Sequence, residues 1–197
     1  MKYEDEITVE VDAPLEVLKS ILEKHNFKVM NEYYINDIYL LKNDIKINND
    51  YLNILKNCVL IRHVIQKNKD KKTITYKYKE YNDKKEIVKQ GSVDCHIDSV
   101  EEAIQLLNVL NYKEVIKVFD HLIIYSNGTD EFAVQIVNNK HIYIEIEEKG
   151  NYMNNEYKNI DEMKEAIIKY NIPIKNNDFF VRKAEIELME SLEKVES

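Results

Sequence analysis

Carboxylates two residues apart on an alternating strand point the same way, and a hard dication is held by converging acids. The stretch HIYIEIEEKG holds one such pair, with Glu145 and Glu147 set between Ile142, Ile144 and Ile146. A second pair, Glu4 and Glu6, opens EDEITVEV, where Glu4, Glu6, Thr8 and Glu10 alternate with Ile7, Val9 and Val11. Basic residues follow the same parity rule. Arg62 in VLIRHVIQ shares a face with Leu60 and Val64, and Lys77 and Lys79 lie opposite Ile74, Tyr76 and Tyr78. Lysine and arginine pair with phosphate oxygens. Faces that mix acids and bases therefore suit a polyphosphate held with a divalent metal, Mg²⁺ or Mn²⁺, which bridges phosphates and polarises the one attacked. The competing reading is that these are the wet faces of half-exposed antiparallel sheets, where outward polar alternation is the norm.

Other chemistries have less behind them. His63, His96, His121 and His141 show no zinc spacing. Cys58 and Cys95 lack CxxC spacing, suggest no disulfide framework and have no obvious His–acid set beside them. The chain of 197 residues has a formal net charge of −8, a poor starting point for neutralising nucleic-acid phosphates. No apolar run approaches the roughly 20 residues that span a bilayer. The acidic start MKYEDEITVE lacks the basic and apolar regions of a signal peptide. The expectation is a cytoplasmic protein, monomer or homodimer, without nucleic-acid or membrane partners; its Asn, Ile and Lys richness hints at a bacterial source with an AT-rich genome.

The elements that must position these residues alternate between strands and a few helices. EDEITVEV, EYYINDIYLLK, CVLIRHVIQ, KTITYKYKE, KQGSVDCHI, EVIKVFDHLIIYS, EFAVQIVNN and HIYIEIEE read as strands. The turn KNKDK joins two of them and SNGTDE makes a hairpin. After the first strand Asp12 is placed to cap a helix with Pro14 in its first turn, and Leu15, Leu18, Ile21 and Leu22 form its stripe. Ser99 and Glu102 form a capping box for DSVEEAIQLLNVLN. IDEMKEAIIKYN and DFFVRKAEIELMESLEK complete the helices. ITVEVDAPLEVLKSILEKHNFKV resembles GSVDCHIDSVEEAIQLLNVLNYKEV: each is a strand, an Asp near the helix start, a helix, then Asn-aromatic and a strand. This pseudo-two-fold repeat, with no linker between its copies, argues for one α+β domain over residues 1–197. About eight antiparallel strands close into a barrel whose charged faces converge inside a tunnel, with flanking helices outside.

In order along the chain, these segments resemble the CYTH family, the triphosphate tunnel metalloenzymes, a group with class IV adenylyl cyclases, thiamine triphosphatases and inorganic triphosphatases. The family's ExExK strand is matched by Glu4 and Glu6, with Thr8 where lysine belongs. Its DxY is matched by Asp37 and Tyr39, and its LRIR keeps Arg62 but has Leu60 at the first arginine. LTYK gives Lys77, RxExE leaves only Asp94, and KxR keeps Lys117 with Phe119 in place of arginine. The last strand keeps Glu145 and Glu147 in EIE, with Gln135 at the expected aspartate, and KSYIEL is similar to KAEIEL, matching Lys183. The resemblance implies metal binding by Glu4, Glu6, Glu145 and Glu147. It implies substrate binding by Arg62, Lys77, Lys117 and Lys183, and catalysis by Glu145, Glu147 and Lys77. Lys79 or Lys89 are substitutes for the missing cations. The implied activity is hydrolysis of a small-molecule triphosphate; the alternatives are cyclisation of ATP to cyclic AMP, or a degenerate member that binds a phosphorylated ligand without turnover.

Overall fold

The computed structural model describes residues 6–67, 69–81 and 87–196, the backbone alone for 79–81, 87–90 and 194–196. Its strands are β1 (Glu6–Glu10), β2 (Lys28–Lys42), β3 (Val59–Gln66), β4 (Lys69–Tyr81), β5 (Ile87–His96), β6 (Tyr112–Ser126), β7 (Glu131–Val137) and β8 (His141–Glu147). The helices are α1 (Leu15–Lys24), α2 (Tyr51–Lys56), α3 (Val100–Val109), α4 (Ile160–Lys169) and α5 (Lys183–Glu196). The strands form one eight-stranded antiparallel sheet in the order β1-β8-β7-β6-β2-β3-β4-β5, and hydrogen bonds do not close it. Replacing each of the first four strands by the one four later gives the same order read backwards, as the internal repeat requires.

The repeat is visible in local detail. Helices α1 and α3 are each 10 residues long, and each is followed by a 15-residue strand. Between helix and strand stands an asparagine in the left-handed region, Asn26 at φ 63° and Asn111 at φ 66°. Asparagine tolerates that conformation better than other residues with a side chain, so it ends the helix and turns the chain onto the next strand. Ser99 caps α3 by accepting a hydrogen bond from the Glu102 N–H at 3.1 Å, the predicted half of a capping box.

Three local expectations are corrected. Asp12 does not cap α1. Its N–H is bonded to the Pro173 carbonyl at 2.9 Å, which keeps it in extended chain, and Pro14 takes the cap position with no side-chain bond. The terminal helix begins at Lys183, not at Asp178. Residues 179–181 run parallel to β1 instead, with the Thr8 N–H donating to Phe179 O (3.2 Å) and the Val181 N–H to Thr8 O (2.9 Å). Those bonds occupy an edge strand that would otherwise be unpaired. Helix α2 is an addition, capped by Asp50 through Asn53 N–H; six residues are too few to show a helical period.

The chain divides into two compact units. The first runs from β1 to Tyr34 and from Asp120 to Arg182; the second comprises Ile35–Phe119 and α5. In the first, Leu18 and Leu22 of α1 and Met163, Ala166 and Ile167 of α4 pack on Ile7, Val9, Val134, Ile144 and Ile146. Phe27 and Phe132 stack in the same core, and Tyr170 meets both rings edge-on. The second has two smaller cores. Ala103 and Leu107 of α3 cover Leu40 and Ile61, whereas Leu41, Ile54, Cys58, Ile116 and Leu188 of α5 gather on a separate cluster. Among the described residues, no helix is long and apolar enough to cross a membrane.

Candidate functional site

Residues directly opposite in an antiparallel pair share a face. In the first unit Glu6 lies opposite Glu147, Thr8 opposite Glu145 and Glu10 opposite Tyr143. Tyr143 lies opposite Gln135, which lies opposite Leu122. One face of β1, β8 and β7 therefore carries Glu6, Thr8, Glu10, Glu145, Glu147, Tyr143 and Gln135. The isoleucines and valines of the helix-covered core are on the other. This polar face is not a wet surface: Thr8, Glu10, Gln135 and Tyr143 are all buried, Glu6 and Glu145 are half-buried, and Glu147 is exposed. Glu4 lies outside the described residues.

Glu10 marks one end of this face. Its Oε1 accepts from His141 Nδ1 at 2.9 Å and from Lys175 Nζ at 3.1 Å. His141 shares the face, two residues before Tyr143, and its ring lies 5.9 Å from the Tyr143 ring. Neither His141 nor Lys175 is singled out by the sequence. The parity of Glu10 with Glu6, and of His141 with Glu145, is present there, but their pairing depends on the β1–β8 register.

In the second unit the same rule places Leu60 opposite Thr75, Arg62 opposite Thr73, Asp94 opposite Thr75 and Ser92 opposite Lys77. Arg62 and Lys77 thus share a face. The Arg62 guanidinium is bound in bidentate fashion by Asp37, Nε to Oδ1 at 2.8 Å and Nη2 to Oδ2 at 2.5 Å. Thr75 Oγ1 donates to Asp94 Oδ1 at 2.7 Å and lies 3.1 Å from Thr73 Oγ1. Beside them, burial pushes the Tyr39 hydroxyl far above its ordinary range and the nearby Asp37 charge adds to the shift, so Tyr39 keeps its proton at neutral pH. Lys77 is exposed on this face.

The remaining predicted cations are placed differently. Lys117 stands between Ile116 and Val118, which pack in the α5-covered cluster; its own side chain is largely exposed and pairs with Glu114 at 3.2 Å. Lys183 is the half-buried first residue of α5. The side chains of Lys79 and Lys89 lie outside the described ones. Of the positions where charge is missing, Thr8, Leu60 and Gln135 are all buried on the polar faces.

The acids offer hard oxygen ligands, as Mg²⁺ and Mn²⁺ require. Among the described residues, however, no three His, Cys, Asp or Glu side chains gather closely enough to hold an ion. The donor set does not make a cage for a bare cation. It suits one that arrives with its phosphates, since Mg²⁺ is usually bound by one or two carboxylates plus substrate oxygens.

No protein-family model and no curated protein matches the chain. Solved structures do. The PH1819 protein of Pyrococcus horikoshii is 23% identical with a TM-score of 0.61, over 98% of this chain and 99% of that one. A candidate adenylate cyclase from Vibrio parahaemolyticus is 11% identical with a TM-score of 0.57, over 98% of each. A chain of the Schizosaccharomyces pombe Mediator head module is 9% identical with a TM-score of 0.57, over 87% of this chain and 97% of that one. The resemblance to the CYTH family therefore holds at the level of the fold.

Proposed function

We propose that this chain is a metal-dependent phosphohydrolase that acts on a small-molecule triphosphate. The observation that carries the reading is the buried polar face of β1, β7 and β8. Burying polar groups costs free energy, and a sheet with nothing to bind would place apolar side chains there. Glu6, Glu145 and Glu147 supply carboxylates for a phosphate-bound Mg²⁺ or Mn²⁺, which would neutralise charge on the phosphoryl oxygens. In the second unit Arg62, Lys77, Lys117 and Lys183 are the candidate cations for phosphate, and Lys77 is exposed on its face. The fold shared with a candidate adenylate cyclase supports the same ligand class and keeps cyclisation of ATP as a variant of the reaction.

A second reading is a fold relative that binds without turnover. It is favoured by the commitment of Arg62 to Asp37 and by the buried Leu60 and Gln135 at positions where the family carries charge. A shared fold does not by itself imply a shared activity, and a chain of the Mediator head module is among the structures with this fold.

The test is an assay with tripolyphosphate, ATP and thiamine triphosphate in Mg²⁺ or Mn²⁺. Phosphate release identifies hydrolysis, and cyclic AMP with pyrophosphate identifies cyclisation. Calorimetric melting reports binding separately. Tripolyphosphate with Mg²⁺ at 100 times its dissociation constant adds about 2.7 kcal/mol by linkage, with Mg²⁺ alone as the control. Stabilisation without turnover selects the second reading; neither, against a sulfate control, rejects both.

A further inference from the structure

On β1, β7, β8 and residues 120–126 of β6, the polar face has six described carboxylates, Glu6, Glu10, Asp120, Glu131, Glu145 and Glu147, and no lysine or arginine. Such a face repels an anion. One cation nevertheless reaches it from outside the sheet. The segment after α4 runs back along β1, tied by the Asp12 N–H to Pro173 O at 2.9 Å and by an isolated bridge between Val11 and Ile174. It then reverses at Asn176 and Asn177, both left-handed at φ 56° and 50°, with the Asp178 N–H closing onto Lys175 O at 3.2 Å. Asparagine carries this turn at lower cost than other residues with a side chain. From there the chain returns to β1 at Thr8, so Lys175 is fixed on both sides by backbone bonds to one strand. Its ammonium lies 3.1 Å from Glu10 Oε1, with its side chain half exposed.

We propose that Lys175 is an anion-binding residue of the carboxylate face, the cation through which the first unit contacts the phosphates. This rests on the triphosphate reading above. An ammonium has three donors, and Glu10 takes one of them through Oε1, the oxygen that also accepts from His141. Glu10 positions the ammonium and the other donors serve the ligand. Thr8 is two residues from Glu10 on the same face, about 7 Å along the strand, and lies opposite Glu145. The cation therefore stands at Glu10, two strand positions from the residue opposite Glu145, one of the acids proposed to meet the metal.

The experiment is titration calorimetry of the full chain with tripolyphosphate at fixed Mg²⁺ and low salt, beside thermal melting. Lys175→Gln should weaken binding at least tenfold, Lys175→Arg should stay within about threefold of wild type, and Thr8→Lys in the Lys175→Gln background should recover most of the loss. A lysine placed at position 8 restores charge to the face but cannot restore a bond at the 173–178 turn, so its rescue separates binding from loop anchoring. Wild-type affinity in Lys175→Gln overturns the inference, as does a loss that Thr8→Lys leaves unchanged. If Lys175→Gln does not fold, the arginine variant decides: retained tight binding supports the role and a tenfold loss with an unchanged melting temperature opposes it. Failure of the wild-type protein to bind tripolyphosphate at all counts against the triphosphate reading itself, a result distinct from either.

Discussion

In the first unit Glu6 faces Glu147 across β1 and β8; in the second Ser92 faces Lys77 across β5 and β4. Counted back from Glu10 and His96, the last residues of β1 and β5, these are equivalent positions of the internal repeat. The correspondence continues across the sheet. Thr8 and Glu145 match Asp94 and Thr75, and Tyr143 and Gln135 match Thr73 and Arg62. The Arg62–Asp37 ion pair of the second unit stands where the first has Gln135 beside Leu122. One backbone plan thus carries Glu6, Glu145 and Glu147 in one copy and Ser92, Thr75 and Lys77 at the equivalent positions of the other. The copies differ in these side chains, while α1 and α3, each 10 residues long, lead into 15-residue strands in the same way.

The comparison can be broken most sharply at Glu147. Because this residue is exposed, Glu147→Gln should leave the melting temperature within a few degrees. It should lower tripolyphosphate turnover by roughly a thousandfold, with affinity changed less than tenfold, the mark of an interaction needed in the transition state. Lys77→Met, at the equivalent position, should instead weaken affinity at least tenfold. Steady-state kinetics with direct binding measurements would show it, and equal affinity losses in both variants would mean that the copies are not specialised.

A smaller effect is expected on stability at the Arg62–Asp37 pair. Asp37→Ala leaves a partly buried guanidinium without its bidentate partner and should cost about 2–4 kcal/mol by urea unfolding. Importing the first unit's residues, as Asp37→Leu with Arg62→Gln, should recover all but about 1 kcal/mol, because well-packed apolar groups often replace an ion pair without loss. A double variant as unstable as Asp37→Ala would show that the two copies cannot exchange residues at this point.

The smallest effect tests the repeat itself. Asn26→Ala and Asn111→Ala each force alanine into the left-handed region and should cost about 1–2 kcal/mol, with Asn→Gly near neutral at both. Asn111→Ala should be the costlier, since the Asn111 side chain also accepts from Asn43 Nδ2 at 2.9 Å. Equal tolerance of alanine and glycine would mean that the turns do not fix the strands that follow.

Much of this was legible in the chain itself. Period-two alternation is a property of a single strand, so the eight strands and the facing of Glu145 with Glu147, or of Lys77 away from Tyr76, followed from the order of residues. The repeat was legible for the same reason: strand, cap, helix and asparagine are each local. The candidate acids Glu6, Glu145 and Glu147 and the bases Arg62 and Lys77 needed only parity and motif. For Lys117 a motif names the residue without saying which way its strand turns it; its neighbours Ile116 and Val118 pack in the core cluster while it pairs with Glu114.

What the chain could not state by itself was register and return. Glu10 meets His141 across 131 positions and Lys175 across 165, through pairings that no local preference encodes. The extended run of residues 179–181 reads as helix from its composition, yet two backbone bonds to Thr8 outweigh a helical propensity worth only tenths of a kcal/mol per residue. The burial of Thr8, Gln135 and Tyr143 was decided in the same way. Alternation tells which residues share a face, but whether that face is wet depends on what the rest of the chain packs against it, and only the tertiary structure decided that.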